Sequence, residues 1–222
     1  MKLKLAIVLG TSCLLASALG APASSSGMGL KGGLSMAQFA YDPDVEDAGL
    51  GRRTGGGGGL TLGYTLLPYL CLDIDGMYMM KGAHWEMTFE DEGTYEEDLK
   101  SSYAVLSPVL RLRLPGGAMA PYVLAGGEVG YLLSAKVKQS APGEADQEED
   151  VKHDYENFDY GLVAGAGLEI PIATGGRVLI EARYVRGLAD IGKHEEDTGD
   201  DVGDDELKAM NDAIYVMAGF RF

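Results

Sequence analysis

The sequence predicts an all-β protein, an eight-stranded antiparallel up-and-down transmembrane β-barrel, and three observations carry that prediction. Apolar residues alternate with small or polar ones through one segment after another, the pattern of a strand whose two faces meet different surroundings. Eight such segments occur, an even number, over residues 28–40, 56–66, 69–89, 99–114, 121–138, 156–171, 176–192 and 213–222. Most reach the ~9–11 residues of a tilted membrane-spanning strand. The links between them alternate short and long, as expected where tight turns face one side of a membrane and longer loops the other.

Composition fits that class and excludes others. The chain has 222 residues, 46% of them hydrophobic, with 33 Gly and a formal net charge of -16 from 18 Lys+Arg against 34 Asp+Glu. A phosphate backbone is met by clustered bases, so nucleic acid is not an expected partner. Beyond the first twenty residues no uncharged apolar run approaches the ~20 residues of a spanning helix. The apolar fraction is too high for a disordered chain.

The first element is an export signal. Residues 1–23, MKLKLAIVLGTSCLLASALGAPA, place two lysines before an apolar stretch and then small residues, the order of a cleaved secretory signal peptide. Cleavage after Ala18, Gly20 or Ala23 satisfies the small-x-small preference. Cys13 is not read as a lipidation site, because Gly10 stands where a lipobox needs Leu. Removing the signal leaves 16 bases against 34 acids and a single cysteine, Cys71, so the exported protein has no internal disulfide.

The strands follow in order. The first two are glycine-rich. The third sets Leu70, Leu72, Ile74 and Tyr78 against Asp73, Asp75 and Lys81; the fourth sets Ala104, Leu106, Leu110, Leu112 and Leu114 against Ser107, Arg111 and Arg113. The fifth runs through Glu128 and Lys136. In the sixth, Phe158, Tyr160, Leu162, Ala164, Ala166, Leu168 and Ile170 oppose Asp159, Gly161, Val163, Gly165, Gly167 and Glu169; in the seventh, Val178, Ile180, Ala182 and Tyr184 oppose Arg177, Leu179, Glu181 and Arg183. The eighth alternates Ile214, Val216, Ala218, Phe220 and Phe222 against residues that include Arg221. Pro68, then Pro115 with Gly116 and Gly117, then Thr174 with Gly175 mark the short turns.

A soluble lipocalin-type barrel or a β-sandwich would show the same alternation with the apolar set inside. The polar faces here carry glycines and sparse, sign-balanced charges instead of the crowded Lys, Glu, Thr and Gln of a wetted surface, which favours a membrane barrel.

The strings APYVLAGGEVGYLLSAKV (120–137), FDYGLVAGAGLEIP (158–171) and GRVLIEARYVRGLADI (176–191), and the ending IYVMAGFRF, resemble the PorT-like, porin-family outer-membrane β-barrel proteins. The resemblance is strongest over residues 99–222. It departs at Ser107 before Pro108, where that family often has an acidic residue. It implies fold and location in the outer membrane of a Gram-negative bacterium, and it implies no activity. The closing alternation up to Phe220 and Phe222 also resembles the C-terminal strand by which outer-membrane barrels are recognised by the barrel assembly machinery.

In a barrel this narrow the interior is filled by side chains. The inward parity supplies Asp73, Asp75, Lys81, Arg111, Arg113, Glu128, Lys136, Asp159, Glu169, Glu181, Arg183 and Arg221, six acids and six bases. Buried charges persist only when paired, so the expectation is a salt-bridged plug. A structural or surface-interaction role leads, with narrow-pore transport of ions or small solutes as the alternative and a rim enzyme acting on lipid or peptide third. No enzyme is expected: His84, His153 and His194 all lie near the loops, no motif marks a nucleophile, and His153 and Asp154, adjacent on a strand, would point apart.

The excess acid lies in the loops, 26 of 34 acids falling in residues 41–55, 90–98, 139–156 and 193–212. Solvation explains such loops without a ligand. A sharper expectation is weak Ca²⁺ binding by EEDTGDDVGDDE, with Asp197, Asp200, Asp201, Asp204 and Asp205 as carboxylate donors, although the spacing matches no EF-hand. No other cofactor is expected. Partners are outer-membrane lipid and lipopolysaccharide, with Arg186 outward beside Tyr184 where a lipid phosphate would meet it. Tyr64, Tyr78, Tyr122, Tyr131, Tyr160, Tyr184, Phe220 and Phe222 are read as interfacial girdles.

Overall fold

The strands pair in sequence order and close on themselves. The computed structural model describes residues 26–42, 50–89, 93–115, 119–140, 147–173, 175–192 and 208–222. The strands are β1 (Gly27–Asp42), β2 (Leu50–Leu67), β3 (Leu70–Phe89), β4 (Gly93–Arg113), β5 (Ala120–Ser140), β6 (Gln147–Asp150), β7 (Phe158–Pro171), β8 (Arg177–Gly187) and β9 (Lys208–Arg221). A 3-10 turn, Lys152–Asp154, follows β6. Every pairing is antiparallel, and β1 joins β9 from Gly29↔Arg221 to Asp42↔Lys208. The ring has eight walls; β6 is a short extra strand beside the upper part of β5, opposite Lys136–Gln139. Closure leaves no open backbone edge in the lipid layer, where an unpaired amide has no water to bond.

The faces are inverted relative to a water-soluble barrel. Leu30, Leu60, Leu62, Tyr64, Leu106, Phe158, Leu162 and Phe222 are among the large apolar side chains that stand exposed, while Asp73, Asp75, Arg111, Glu181 and Arg183 are buried. This is the arrangement expected for lipid outside and a packed polar interior.

The barrel is taller on one side. β8 has 11 residues, enough to cross a bilayer, whereas β4 and β5 have 21 each. The difference adds roughly 30 Å of strand beyond the membrane at the ~3.3 Å rise per residue. Much of what reads as loop is therefore strand: β2 begins at Leu50, β4 at Gly93 and β9 at Lys208. Where β7 and β8 stop short, segments 151–157 and 188–192 close the upper wall. Glu156 N–H donates to Ile191 O at 2.9 Å and Ile191 N–H to Ala209 O at 2.9 Å. Phe39, Ala83, Leu99, Ala189 and Ile191 form an apolar layer there, packed against Trp85, Val137, Val151 and Tyr155.

The signal segment 1–23 and the acidic run with Asp197, Asp200, Asp201, Asp204 and Asp205 lie outside the described residues.

Candidate functional site

Alternation on the spanning strands directs one side chain in two to the barrel axis, and the charged ones gather in three tiers. Nearest the short turns, Arg111 Nε lies 3.0 Å from Asp73, and its guanidinium also bonds Glu169. Arg221 reaches Asp73 at 3.1 Å and Thr61 at 3.2 Å, while Arg113 and Arg177 meet Glu169 at 3.3 and 2.6 Å. The Arg111 guanidinium lies 5.1 Å from the centre of the Tyr122 ring.

In the middle tier Lys31 bridges Asp75 at 3.0 Å and Glu181 at 3.1 Å. Arg183 bonds Asp75 and lies 2.7 Å from Glu181, which also accepts the Tyr122 hydroxyl at 2.8 Å. In the upper tier Lys81 sits between Glu128 at 3.0 Å and Asp159 at 2.9 Å, 5.2 Å from the Tyr103 ring centre. Tyr215 and Ser107 hydroxyls donate to Glu128, and the Asn211 amide donates to Asp159 and Tyr103. Each carboxylate thus has a cation within bonding reach, the condition for keeping charges away from water.

Three placements differ from the sequence expectations, and a further residue, Arg186, is outward as expected but already has a partner. Lys136 is outside the barrel: its side chain is 48% exposed and bonds Glu148 of β6 at 2.7 Å. The β4–β5 register shifts where Ser102 faces Ser134 but Tyr103 faces Leu132, so the extra residue, Leu133, reverses the parity above it. Tyr122 belongs to no girdle; it is 1% exposed and shares the inward parity of Leu124 and Glu128. Arg186 is outward but engaged, since Asp212 accepts from it at 2.8 Å and from the Tyr184 hydroxyl at 2.6 Å. His153 and Asp154 lie on the 3-10 turn, not a strand, and their side chains meet at 3.2 Å in the open.

Lys31 is the lumen charge the sequence reading missed, and Arg177, read as inward, was left out of the network it joins through Glu169. Lys31 was findable, because Met28, Leu30, Leu34 and Met36 mark the outward parity of the glycine-rich first strand and leave Lys31 and Ser35 inside. Among the described residues no group of three or more His, Cys, Asp or Glu is arranged to hold a metal ion. Phe220 and Phe222 pack edge to face at 5.4 Å between ring centres on the turn side, and Phe222 N–H donates to Met28 O at 2.9 Å.

Closed circumference, apolar exterior and charged interior define an outer-membrane-type β-barrel. The chain belongs to the outer membrane protein beta-barrel domain family, whose model matches residues 20–192. That family places it in the outer membrane of a Gram-negative bacterium. No curated protein matches it in sequence. Solved structures similar to it include Neisserial surface protein A, at 12% identity and TM-score 0.47 over 88% of this chain and 96% of that one. OprG from Pseudomonas aeruginosa matches at 12% identity and TM-score 0.47, over 90% and 98%. Ail, the attachment invasion locus protein of Yersinia pestis, matches at 17% identity and TM-score 0.40, over 89% and 99%.

Proposed function

We propose that this protein is a plugged barrel with a structural or surface-interaction role, of the PorT-like kind, in which the transmembrane part is an anchor and the tall upper wall with its acidic loops is the working surface. The observation that carries this reading is the three-tier network. Each of Asp73, Asp75, Glu128, Asp159, Glu169 and Glu181 is at most 3% exposed and lies within ion-pair distance of Lys31, Lys81, Arg111, Arg183 or Arg221. An ion entering this lumen would have to displace charge-assisted hydrogen bonds and then cross the apolar layer above them. A transport role requires both barriers to move. The Phe220–Phe222 pair on the turn side serves in this reading as the contact for the barrel assembly machinery.

Planar-bilayer recording on the refolded full chain tests it. The expected result is an absence of a stable open state. A large, persistent conductance at low applied voltage would overturn the plug and favour narrow-pore transport.

A further inference from the structure

Outside the barrel, the β3–β4–β5 wall carries an open apolar groove, and lysines stand on the same strands above it. The groove has a volume of about 520 Å³ and is lined by Gly76, Tyr78, Ala104, Leu106, Val129 and Tyr131, among others. Its floor is low because two adjacent outward positions are small: Gly76 pairs with Leu106, and Ala104 pairs with Tyr78 on one side and Tyr131 on the other. The outward face of β4 is apolar from Leu114 to Ala104 and turns polar at Ser102 and Lys100. Ten residues tilted at ~40° cover about 25 Å, the height of a barrel's apolar band, so Lys100 stands at headgroup level.

Lys100 and Lys136 are register partners at that level, roughly 13 Å of strand above Ala104. Their side chains are 38% and 48% exposed, and one carboxylate, Glu148 of β6, lies 3.8 Å from the first and 2.7 Å from the second. Lys152 lies 5.8 Å from the ring centre of Tyr131, which lines the groove. Three cations thus stand near the top of the furrow, with the β6 carboxylates Glu148 and Asp150 beside them.

We propose that this wall seats a phosphorylated lipid of the outer leaflet, an acyl chain lying in the groove between Tyr78 and Tyr131 and a headgroup phosphate meeting Lys100 and Lys136, where Glu148 acts as an internal competitor. The occupant follows from charge and shape together. A phosphate supplies several acceptor oxygens to two ammonium groups, and the groove accepts a chain that a neutral headgroup alone would not fix in place. Tyr78, hydrogen-bonded to Ser102 at 2.8 Å, is the interfacial aromatic at the junction. The site is independent of the lumen and does not use the plug.

The test is native mass spectrometry of the refolded full chain, counting retained lipid with lipid A, with phosphatidylcholine, and with lipid A plus excess inorganic phosphate. Wild type should retain one lipid A in preference to phosphatidylcholine, and inorganic phosphate should not displace it. Lys100→Gln and Lys136→Gln should each weaken retention by about tenfold, the scale of one charge-assisted hydrogen bond. Glu148→Gln should strengthen it severalfold. Gly76→Leu is the decisive variant: a Cβ built at Gly76 meets nothing within 4 Å, so the barrel accommodates it while the groove fills. It should lower retention without changing heat-modifiable mobility. Equal retention of the two lipids, displacement by inorganic phosphate, or unchanged retention in either the lysine variants or Gly76→Leu would overturn the proposal.

Discussion

Replacing Lys81 with Met measures directly how dry the lumen is. Lys81 is 2% exposed, and its ammonium is the cation shared by Glu128 at 3.0 Å and Asp159 at 2.9 Å. Met keeps most of the side-chain volume and removes the charge, leaving two carboxylates held only by Tyr215, Ser107 and Asn211. Removing one partner of a buried ion pair costs about 3–5 kcal/mol, because the remaining charge is uncompensated. That corresponds to a change of about two to four orders of magnitude in the unfolding constant. The assay is urea unfolding in lipid vesicles followed by fluorescence. The chain has one tryptophan, Trp85, packed edge to face on Phe39 at 5.7 Å, so the signal reports the upper barrel without interference. Should the single variant fail to fold, Lys81→Met combined with Glu128→Gln and Asp159→Asn leaves the cluster uncharged and should recover all but about 1–2 kcal/mol. A Lys81→Met barrel within about 1 kcal/mol of wild type would refute the reasoning, since only water reaching Glu128 and Asp159 could replace the lost ammonium so cheaply.

Two further outcomes follow from the walls. Gly59→Ala should destabilise by about 1–3 kcal/mol by overpacking, because its Cβ would lie 2.1 Å from Gly76 O and 2.6 Å from Met77 Cα, both backbone atoms of the paired strand. Gly76→Ala, on the open outer face, should be neutral in the same denaturation assay, and equal effects would contradict the packing. The pairing of β6 with β5 should depend on pH. The hydrogen bond and charge of Lys136, with Lys100 and Lys138 nearby, hold the Glu148 carboxyl below its usual value, and Glu148, with Asp150 adding to it, raises Lys136. The Glu148 contribution is therefore complete above its ordinary value near ~4.3 and is lost as pH falls through the lower folded one; that of Lys136 is complete below ~10.4 and is lost above. Intrinsic-rate-corrected amide exchange at residues 136–139 should show protection through the neutral range that falls on acidification, and pH-independent protection down to pH ~3 would count against the ion pair.

The membrane-spanning part was legible because lipid imposes a rule on alternate residues. In β7 every outward residue from Phe158 to Ala166 is exposed and apolar, with Asp159, Gly161 and Val163 buried behind them. The extensions were not legible for the complementary reason. Above the bilayer the outer face meets water, so no apolar parity is required, while the backbone ladder continues unchanged. Residues 93–98, GTYEED, look like an acidic loop, yet Thr94, Tyr95 and Glu96 pair with Thr88, Met87 and Glu86 of β3. The Gly/Arg-rich start of β2 hides its strand in the same way, opposite Ala83, His84 and Trp85. The interior charges on β3, β4, β7 and β8 could be read from parity; their grouping into tiers could not, because it depends on strand stagger around the ring.

Lys136 shows where parity reasoning fails and what the failure does. Counting evenly from Glu128 puts Lys136 in the lumen, but the extra residue Leu133 turns Ala135 inward and Lys136 outward. One inserted residue thus changes both faces at the same height. Inside, Ala135 is fully buried and Val137 packs against the apolar layer, so the lumen passes from charged tiers to an apolar cap without a stray ammonium. Outside, the wall gains a cation beside Lys100 at the level where its apolar band ends. Bulges increase local twist and re-aim side chains, and here the re-aimed side chain joins Lys100 at the head of the groove. The position that the sequence assigns to the plug is, in the folded barrel, part of the exposed outer wall.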